Sequence, residues 1–215
     1  MDIQYIGLLF QGLFVTVELG LLTFVFGGLF GLVIALARIS PSGIVARGAS
    51  LYIQTLQGIP LLVLMGLCFY GPNLIGLQSV PALFAATMAL TLYAASYLGE
   101  IWRGCLQAVP KPQWEAAECL GLSRWQRMWR VILPQAVRIA TPPTVGFMVQ
   151  IVKNTSVASL VVGVADLAYN AKVLNNTTFQ PFVYFGLAGL MYFCICYPLS
   201  RQARALERRL NVKHR

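Results

Sequence analysis

Charged residues are scarce in this chain of 215 residues, and histidine is almost absent. Asp, Glu, Lys and Arg together make up 11% of the residues, hydrophobic residues make up 58%, and the mean hydropathy is +0.70. Soluble globular domains carry roughly a quarter of their residues as charges, so this chain has too little polar surface to be one. The long apolar runs instead predict an all-α integral membrane protein, because helices satisfy their backbone polar groups within a bilayer.

The single histidine, His214, argues against two classes of site. Cys194 and Cys196 have too few partners to complete a metal site, so we expect no metal. A Ser–His or Cys–His nucleophile pair at membrane depth is equally disfavoured, so we expect no catalytic residue. The chain also lacks a G-x-x-x-x-G-K-[ST] phosphate-binding loop. We therefore expect it to bind no cofactor, and any ATP and Mg²⁺ to be bound by another chain.

Five apolar stretches are candidate transmembrane helices, since about 20 residues at 1.5 Å each cross a hydrocarbon core of about 30 Å. The predicted spans are residues 12–37, 50–70, 81–102, 136–152 and 182–199. The whole chain, 1–215, is then a single transmembrane domain. Two polar stretches remain, a loop at 104–135, termed here the polar segment, and a tail at 200–215. Residues 155–171 are moderately apolar and could instead form a re-entrant segment.

The basic residues predict the orientation of these five spans. Of the 16 Lys and Arg residues, all but Lys153 and Lys172 lie in the first loop, in or beside the polar segment, or in the tail. Basic residues near span ends mark the cytoplasmic side, so we expect the N-terminus outside and the C-terminus in the cytoplasm. The net charge of +9 then reflects topology and contact with an anionic lipid membrane, and we expect no nucleic-acid partner.

The polar segment is predicted to form a helix, a sharp bend and a second helix. Two prolines precede the first helical run, where their missing N–H costs nothing. Gly121 can take the left-handed conformation that ends a helix. Ser123 and Gln126 have the spacing of a capping box, which starts the next helix. The bend is expected to expose small or apolar residues that press into a partner's groove, with charges beside them: Ala116, Ala117, Gly121, Leu122, Glu115, Arg124 and Arg127.

This pattern resembles a known family. Glu115-Ala116-Ala117, a glycine four residues later and Ile132-Leu133-Pro134 resemble the EAA loop of the membrane subunits of bacterial ABC importers. The neighbouring stretches GEIWRGCLQAVPKPQWEAA, VILPQAVRIATPP, QGIPLLV and VKNTSVASL are most similar to the polar-amino-acid permeases, which import histidine, glutamine, glutamate, arginine or opines. The resemblance runs from roughly Gly12 to Arg209.

The resemblance implies a type I ABC importer fold in the bacterial cytoplasmic (inner) membrane. It also implies three protein partners: a dimer of ABC ATPase subunits, a second permease chain that is identical or related, and a periplasmic or extracellular amino-acid-binding protein. Coupling to the ATPase would then fall to Glu115, Ala116, Ala117, Gly121, Leu122 and Arg124. A passive channel, which would not require the bend, and a membrane-embedded enzyme remain alternatives. An enzyme would need a base beside a nucleophile such as Ser96, and the sequence shows none.

A permease needs a polar path, and polar groups or broken helices at membrane depth mark one. The candidates are Gln57, Gly58, Ile59 and Pro60 in the second span, and Gln150, Lys153, Asn154, Thr155 and Ser156 at the end of the fourth. A helix restarting at Pro60 would present free N–H groups that suit a carboxylate. Both stretches also have structural explanations: a proline kink in the first, and in the second a lysine reaching the outer interface beside a helix cap.

Two departures from the resembled family bear on the substrate. The family usually has Arg-Gly-Thr-Pro where this chain has Gln57-Gly58-Ile59-Pro60, and many relatives have an aspartate where this chain has Asn154. The only acids in or near the predicted spans are Glu18 and Glu100, and Glu100 is expected to pair with Arg103 three residues on. A basic amino acid would therefore lack a counter-ion, which favours an acidic or neutral substrate.

The segment between the fourth and fifth predicted spans, expected on the outer side, allows two interpretations. Asp166 and Lys172 lie in the predicted stretch between the fourth and fifth spans. They either help to receive the binding protein or belong to a solvated loop helix.

Overall fold

A computed structural model describes residues 3–76 and 78–212, and the regular structure in this part of the chain is helical. His214 and the last residues of the predicted tail lie outside it. The elements are α1 (Ile3–Arg38), α2 (Gly43–Gly58), α3 (Leu61–Leu74), α4 (Ala82–Gln107), α5 (Lys111–Cys119), α6 (Arg124–Arg127), a π-helical turn (Met128–Ile132), α7 (Leu133–Asn154), α8 (Ser156–Val161), α9 (Leu167–Thr178) and α10 (Pro181–Val212).

Three of these helices, α1, α4 and α10, are each long and apolar enough to cross a membrane. The pair α2 and α3 is a fourth candidate, bent by 101° at a short break. The break lies where the sequence predicted an interruption, since α2 ends at Gly58 and α3 is capped by Pro60. The stretch 50–70 is therefore two helices at a steep angle rather than one kinked span.

The first and last predicted spans extend further than expected. Helix α1 begins at Ile3 rather than near residue 12. Helix α10 continues from the predicted span 182–199 into the tail without a break, which agrees with a helical tail. Helix α7 follows from α6 through the π-helical turn and continues through Pro142 and Pro143.

Helices α1 and α4 pack closely because glycines line their contact. A Cβ atom at Gly27 would lie 2.6 Å from the Cβ of Ala94, and one at Gly31 would lie 3.0 Å from the Cβ of Leu98. Small residues let helix backbones approach within a membrane, where packing rather than hydrophobic burial drives association. This close contact fixes α1 against α4 and thereby positions the residues in the middle of the bundle.

We expect Gly27→Ala to destabilise the bundle by about 1–3 kcal/mol, because the two helices must separate to admit the methyl group. Gly20→Ala is the matched control on the same helix. A Cβ there would lie 3.7 Å from Val152, an ordinary contact. Thermal unfolding in detergent, followed by circular dichroism, compares the two variants. Equal midpoints for both would contradict the close packing of α1 on α4.

Helices α7 and α9 contact successive parts of α1, and α9 contacts the part nearer its start. Gly20, near the midpoint of α1, faces Val152 of α7, whereas Gly12 lies against the backbone of Asp166. Nearer the start of α1, the side-chain Nδ2 of Asn170 donates to the carbonyl oxygen of Leu8 at 2.8 Å. The helix is therefore interrupted after residue 154, and the chain then continues alongside α1 towards the first residues of that helix. Residues 155–171 do not fold back against α7.

Candidate functional site

The two stretches predicted to line the solute path both contact the same part of α4. From α2, the side-chain Nε2 of Gln57 donates to the carbonyl oxygen of Ser96 at 3.3 Å. From α7, Asn154 lies beside the phenol of Tyr93, one turn before Ser96 on α4. The hydroxyl of Ser96 donates to the carbonyl oxygen of Tyr93 at 2.8 Å. We call these residues, together with Gln150, the central polar cluster.

The amides of Gln150 and Asn154 share one helix face, as their spacing predicted. The Nε2 atom of Gln150 donates to the Oδ1 atom of Asn154 at 3.1 Å, and the pair is solvent-accessible in the isolated chain. Tyr93 is near the midpoint of the 26-residue helix α4. The cluster therefore lies halfway along the bundle, where polar groups mark solute pathways.

Three aromatic rings line the same region, and none of them was predicted from the sequence. The ring centroids of Tyr93 and Tyr97 are 4.6 Å apart, and the ring of Phe147 stacks on Tyr97 at 5.6 Å. Tyr93 and Tyr97 are four residues apart on one helix, a spacing that places both on one face. The spacing could have indicated that the two tyrosines share a face of α4. The position of Phe147 beside them depends on the packing of α7 against α4, which the sequence does not reveal.

The other predicted path residues lie near this cluster with different roles. Thr155 is fully buried, and its hydroxyl donates to the carbonyl oxygen of Val152 at 2.9 Å. The hydroxyl of Ser156 donates to the carbonyl oxygen of Lys153 at 2.7 Å. Both hydroxyls therefore satisfy the backbone where α7 ends. Gly58 and Pro60 are exposed at the break between α2 and α3, and Ile59 packs against an apolar cluster.

Lys153 lies in the last turn of α7, and its side chain is exposed. Its neighbour Asn154 lies beside Tyr93, near the middle of α4. The position of Lys153 at the outer interface stays a prediction.

Both predicted roles of Asp166 are wrong. Its side chain is fully buried, so it neither belongs to a solvated loop nor contacts an external protein. One carboxylate oxygen accepts the backbone N–H of Tyr169 at 2.9 Å and caps α9, and the other accepts the hydroxyl of Tyr192 at 3.1 Å. Nearby, the hydroxyl of Thr16 accepts the N–H of Leu167 at 3.2 Å. This buried network ties α1, α9 and α10 together.

The bend in the polar segment has the predicted caps. Gly121 has a φ of 72°, and its N–H donates to the carbonyl oxygen of Glu118 at 2.9 Å. The N–H of Leu122 donates to the carbonyl oxygen of Ala117 at 3.2 Å, which completes a Schellman motif. Ser123 and Gln126 form both hydrogen bonds of a capping box. The predicted arrangement of two helices joined by a sharp bend is therefore confirmed.

The expected exposure of Ala117 is wrong. It is 2% exposed, and Leu122 is only partly exposed. The reason is the Schellman motif, which brings the second residue after the cap over the third residue before it. Glu115, Ala116, Gly121 and Arg124 are exposed, as expected.

Three large apolar residues that were not predicted from the sequence are exposed at the bend. Leu120 is 79% exposed, Trp125 70% and Trp129 49%, and the two indole rings lie 5.2 Å apart. The i,i+4 spacing of Trp125 and Trp129 could have indicated that the two side chains lie side by side on one helix face. The surface available to a partner is therefore larger and more aromatic than the EAA pattern alone suggested.

The bend is joined firmly to the spans. Leu106 and Val109 at the end of α4 pack with Ile132 and Ala136 in a buried cluster, and Trp114 of α5 packs against it. An ion pair between the Nη1 atom of Arg127 and the Oε2 atom of Glu118, at 2.8 Å, closes the bend itself. A displacement of α5 would therefore be transmitted to α4 and α7.

The charges near the ends of α1 and α4, next to the bend, are largely paired. The Nη2 atom of Arg103 lies 2.5 Å from the Oε1 atom of Glu100, as the spacing predicted, and the Nε atom of Arg38 lies 3.8 Å from Oε2. The part of the chain that the structure describes contains no cluster of three His, Cys, Asp or Glu side chains suited to a metal. Ser96 is fully buried, and its hydroxyl donates to the backbone.

Comparisons with known proteins agree with this arrangement. Residues 27–212 match the family model described as a binding-protein-dependent transport system inner membrane component. The chain is 36% identical to the probable amino-acid ABC transporter permease protein YckA of Bacillus subtilis, over 86% of this chain and 81% of that protein. It is 32% identical to the histidine/lysine/arginine/ornithine transport system permease protein HisM of Salmonella typhimurium, over 94% and 90% of the two chains.

A solved structure is similar over nearly the whole fold. It is described as an amino acid ABC transporter with histidines, and it superposes with a TM-score of 0.89 at 32% sequence identity, covering 96% of each chain. The arrangement of helices is therefore that of a type I ABC importer permease.

Proposed function

The chain belongs to the family of binding-protein-dependent transport system inner membrane components, and on that premise we propose that it is the permease subunit of an ATP-driven importer of polar amino acids. The observation that carries the proposal is the joining of a central polar cluster to an exposed bend through continuous packed helices. The relatives described as amino-acid permeases support the substrate class. The chain itself carries out no ATP chemistry, and its ATPase is a separate subunit.

We propose five membrane crossings with the N-terminus outside and the C-terminus in the cytoplasm. These are α1, the bent pair α2–α3, α4, the interrupted run α7–α9, and α10. The distribution of Lys and Arg supports this orientation. The protein then resides in the bacterial inner membrane as a single transmembrane domain, and the polar segment faces the cytoplasm.

The partners follow from the same proposal. A dimer of ATPase subunits binds the bend around Gly121, where Glu115, Ala116 and Arg124 are exposed. A second permease chain, identical or related, completes the pathway, and a binding protein delivers the solute from outside. When the ATPase pair closes on ATP, α5 moves and displaces α4 and α7 around the central polar cluster, which is the usual form of alternating access.

We propose an acidic or neutral amino acid as the substrate. The groups at the centre that support this proposal are two amides and a tyrosine phenol. Among the described residues, the acid on the same helix as the cluster, Glu100, is held by Arg103. No side chain of the central polar cluster is acidic, so a cationic side chain would lose its hydration there without a counter-ion from the cluster.

Uptake by vesicles containing the assembled complex tests the proposal. We expect ATP-dependent accumulation of a labelled acidic or neutral amino acid, and competition by arginine or lysine to be at least about tenfold weaker, the effect of one missing charge pair. Uptake that proceeds without ATP would indicate a passive channel. ATP-dependent uptake with arginine as the best competitor would keep the permease and reject the substrate preference.

A further inference from the structure

A cavity of about 430 Å³ lies between α1, α4 and α7, in the half of the bundle next to the bend. Its walls include Phe24 and Leu36 of α1, Trp102 of α4, and Ala140 and Met148 of α7. None of these residues belongs to the central polar cluster. A space of this size falls within the range of about 300–1,000 Å³ found for small-molecule sites.

The lining offers almost nothing to a polar solute. Its two hydroxyls are already engaged, because that of Thr141 donates to the carbonyl oxygen of Val137 at 2.7 Å and that of Thr144 accepts the indole N–H of Trp102 at 2.8 Å. A polar amino acid entering here would give up its hydration without replacement hydrogen bonds. The cavity is therefore unsuited to the solute path and suited to an apolar occupant.

The cavity is open towards the flank of the bundle. Three of its lining residues, Leu32, Leu36 and Val137, are 42%, 41% and 55% exposed. They lie on α1 and α7, which belong to two of the proposed membrane crossings. An occupant can thus enter sideways from the bilayer rather than along the solute path.

We propose that this cavity binds an acyl chain of an anionic phospholipid from the leaflet next to the bend. Charge identifies the headgroup. Arg138 is exposed, directly follows Val137 and lies one turn from Thr141, so it stands at the edge of the cavity. Helix α7 contains no acidic residue, and the nearby carboxylate of Glu100 is paired with Arg103. Basic groups between helices on the cytoplasmic side are suited to anionic headgroups.

The apolar lining beside an exposed basic residue favours a lipid over a helix of a second permease chain. An anionic phospholipid supplies both an acyl chain for the cavity and a negative headgroup for Arg138. A membrane-spanning helix supplies mainly apolar side chains, and it would leave the guanidinium without an anionic partner.

Fluorescence of Trp102 tests the proposal in the full-length chain reconstituted into vesicles. The other tryptophans are replaced in the variant Trp114→Phe, Trp125→Phe, Trp129→Phe. Phosphatidylcholine vesicles then receive increasing amounts of phosphatidylglycerol with brominated acyl chains, which quench a tryptophan in contact. We expect quenching that saturates at a low share of brominated lipid. We also expect about a fivefold preference over brominated phosphatidylcholine, the effect of one basic residue near a headgroup.

Three further variants separate the cavity from the general lipid surface. Ala140→Phe fills the cavity and should remove the saturable quenching. Gly189→Phe is the control, since its site on α10 is exposed and has open space around it, and it should leave the quenching unchanged. Arg138→Gln should remove the preference for phosphatidylglycerol while quenching persists.

Either of two results would overturn the proposal. Quenching that rises in proportion to total brominated lipid, equally for both headgroups and unaffected by Ala140→Phe, would mean ordinary contact with bulk lipid. Absence of quenching, with Trp102 instead shielded by a second copy of the chain, would mean that a helix fills the cavity. Neither readout depends on amino-acid uptake, so the outcome is independent of the proposed transport function.

Discussion

Replacing Gly121 with aspartate should abolish ATP-driven uptake while leaving the protein inserted in the membrane. Gly121 has a φ of 72°, and a Cβ atom added there would meet nothing within 4 Å. The substitution therefore does not clash within the chain. Its effects are a backbone cost of about 1–2 kcal/mol for a side chain in the left-handed region, and a new negative charge on the surface proposed to dock the ATPase. Loss of one central contact weakens docking by about 30-fold or more.

Gly121→Asn is the matched control for this charge. Asparagine has nearly the same size and also tolerates the left-handed region, so both variants share the backbone cost. We expect Gly121→Asn to keep part of the uptake and Gly121→Asp to lose it, with equal amounts of both proteins in the membrane fraction. Full uptake by Gly121→Asp would remove the bend from the proposed coupling surface.

The second large effect concerns specificity. Asn154→Asp should shift the preference towards lysine and arginine by about tenfold, which corresponds to ~1.4 kcal/mol. The change preserves shape, and the aspartate Oδ1 atom can still accept the hydrogen bond that Gln150 now donates at 3.1 Å. It adds a carboxylate at the centre of the bundle, where its negative charge would attract a cationic substrate. Competition for uptake of a labelled amino acid measures the shift.

The same chemical change made elsewhere provides the control. Asn176→Asp introduces an identical carboxylate at an exposed position near the end of α9, and it should leave the order of competitors unchanged. If Asn154→Asp also keeps the original order, Asn154 does not contact the substrate. A shift produced equally by both variants would point to net charge rather than to the site.

Local features of this fold could be predicted from the sequence because neighbouring residues determine them. The left-handed glycine at 121, the capping box from Ser123 to Gln126 and the interruption before Pro60 all depend on backbone conformations that each residue type favours. The ion pair between Glu100 and Arg103 likewise follows from helical spacing. Apolar runs predicted the long helices, although the observed helix ends differ from the predicted ones by several residues.

Features that depend on contacts between helices could not be predicted. Asp166 follows a short break and looks solvent-exposed in sequence, yet it is buried against Tyr192. The stacking of Phe147 on Tyr97 joins α4 and α7, residues fifty positions apart. Periodicity gives the face of a residue but not the helix that covers that face.

The most direct test of the account is ATP hydrolysis by the assembled complex in lipid vesicles, with and without each candidate amino acid and its binding protein. The account predicts that hydrolysis rises with one acidic or neutral amino acid, and that the rise disappears in Gly121→Asp. Such a result would connect the bend, the ATPase and the central polar cluster in one measurement. Hydrolysis that no amino acid stimulates, with the ATPase bound and active, would contradict the proposed substrate class and the coupling of this site to the bend.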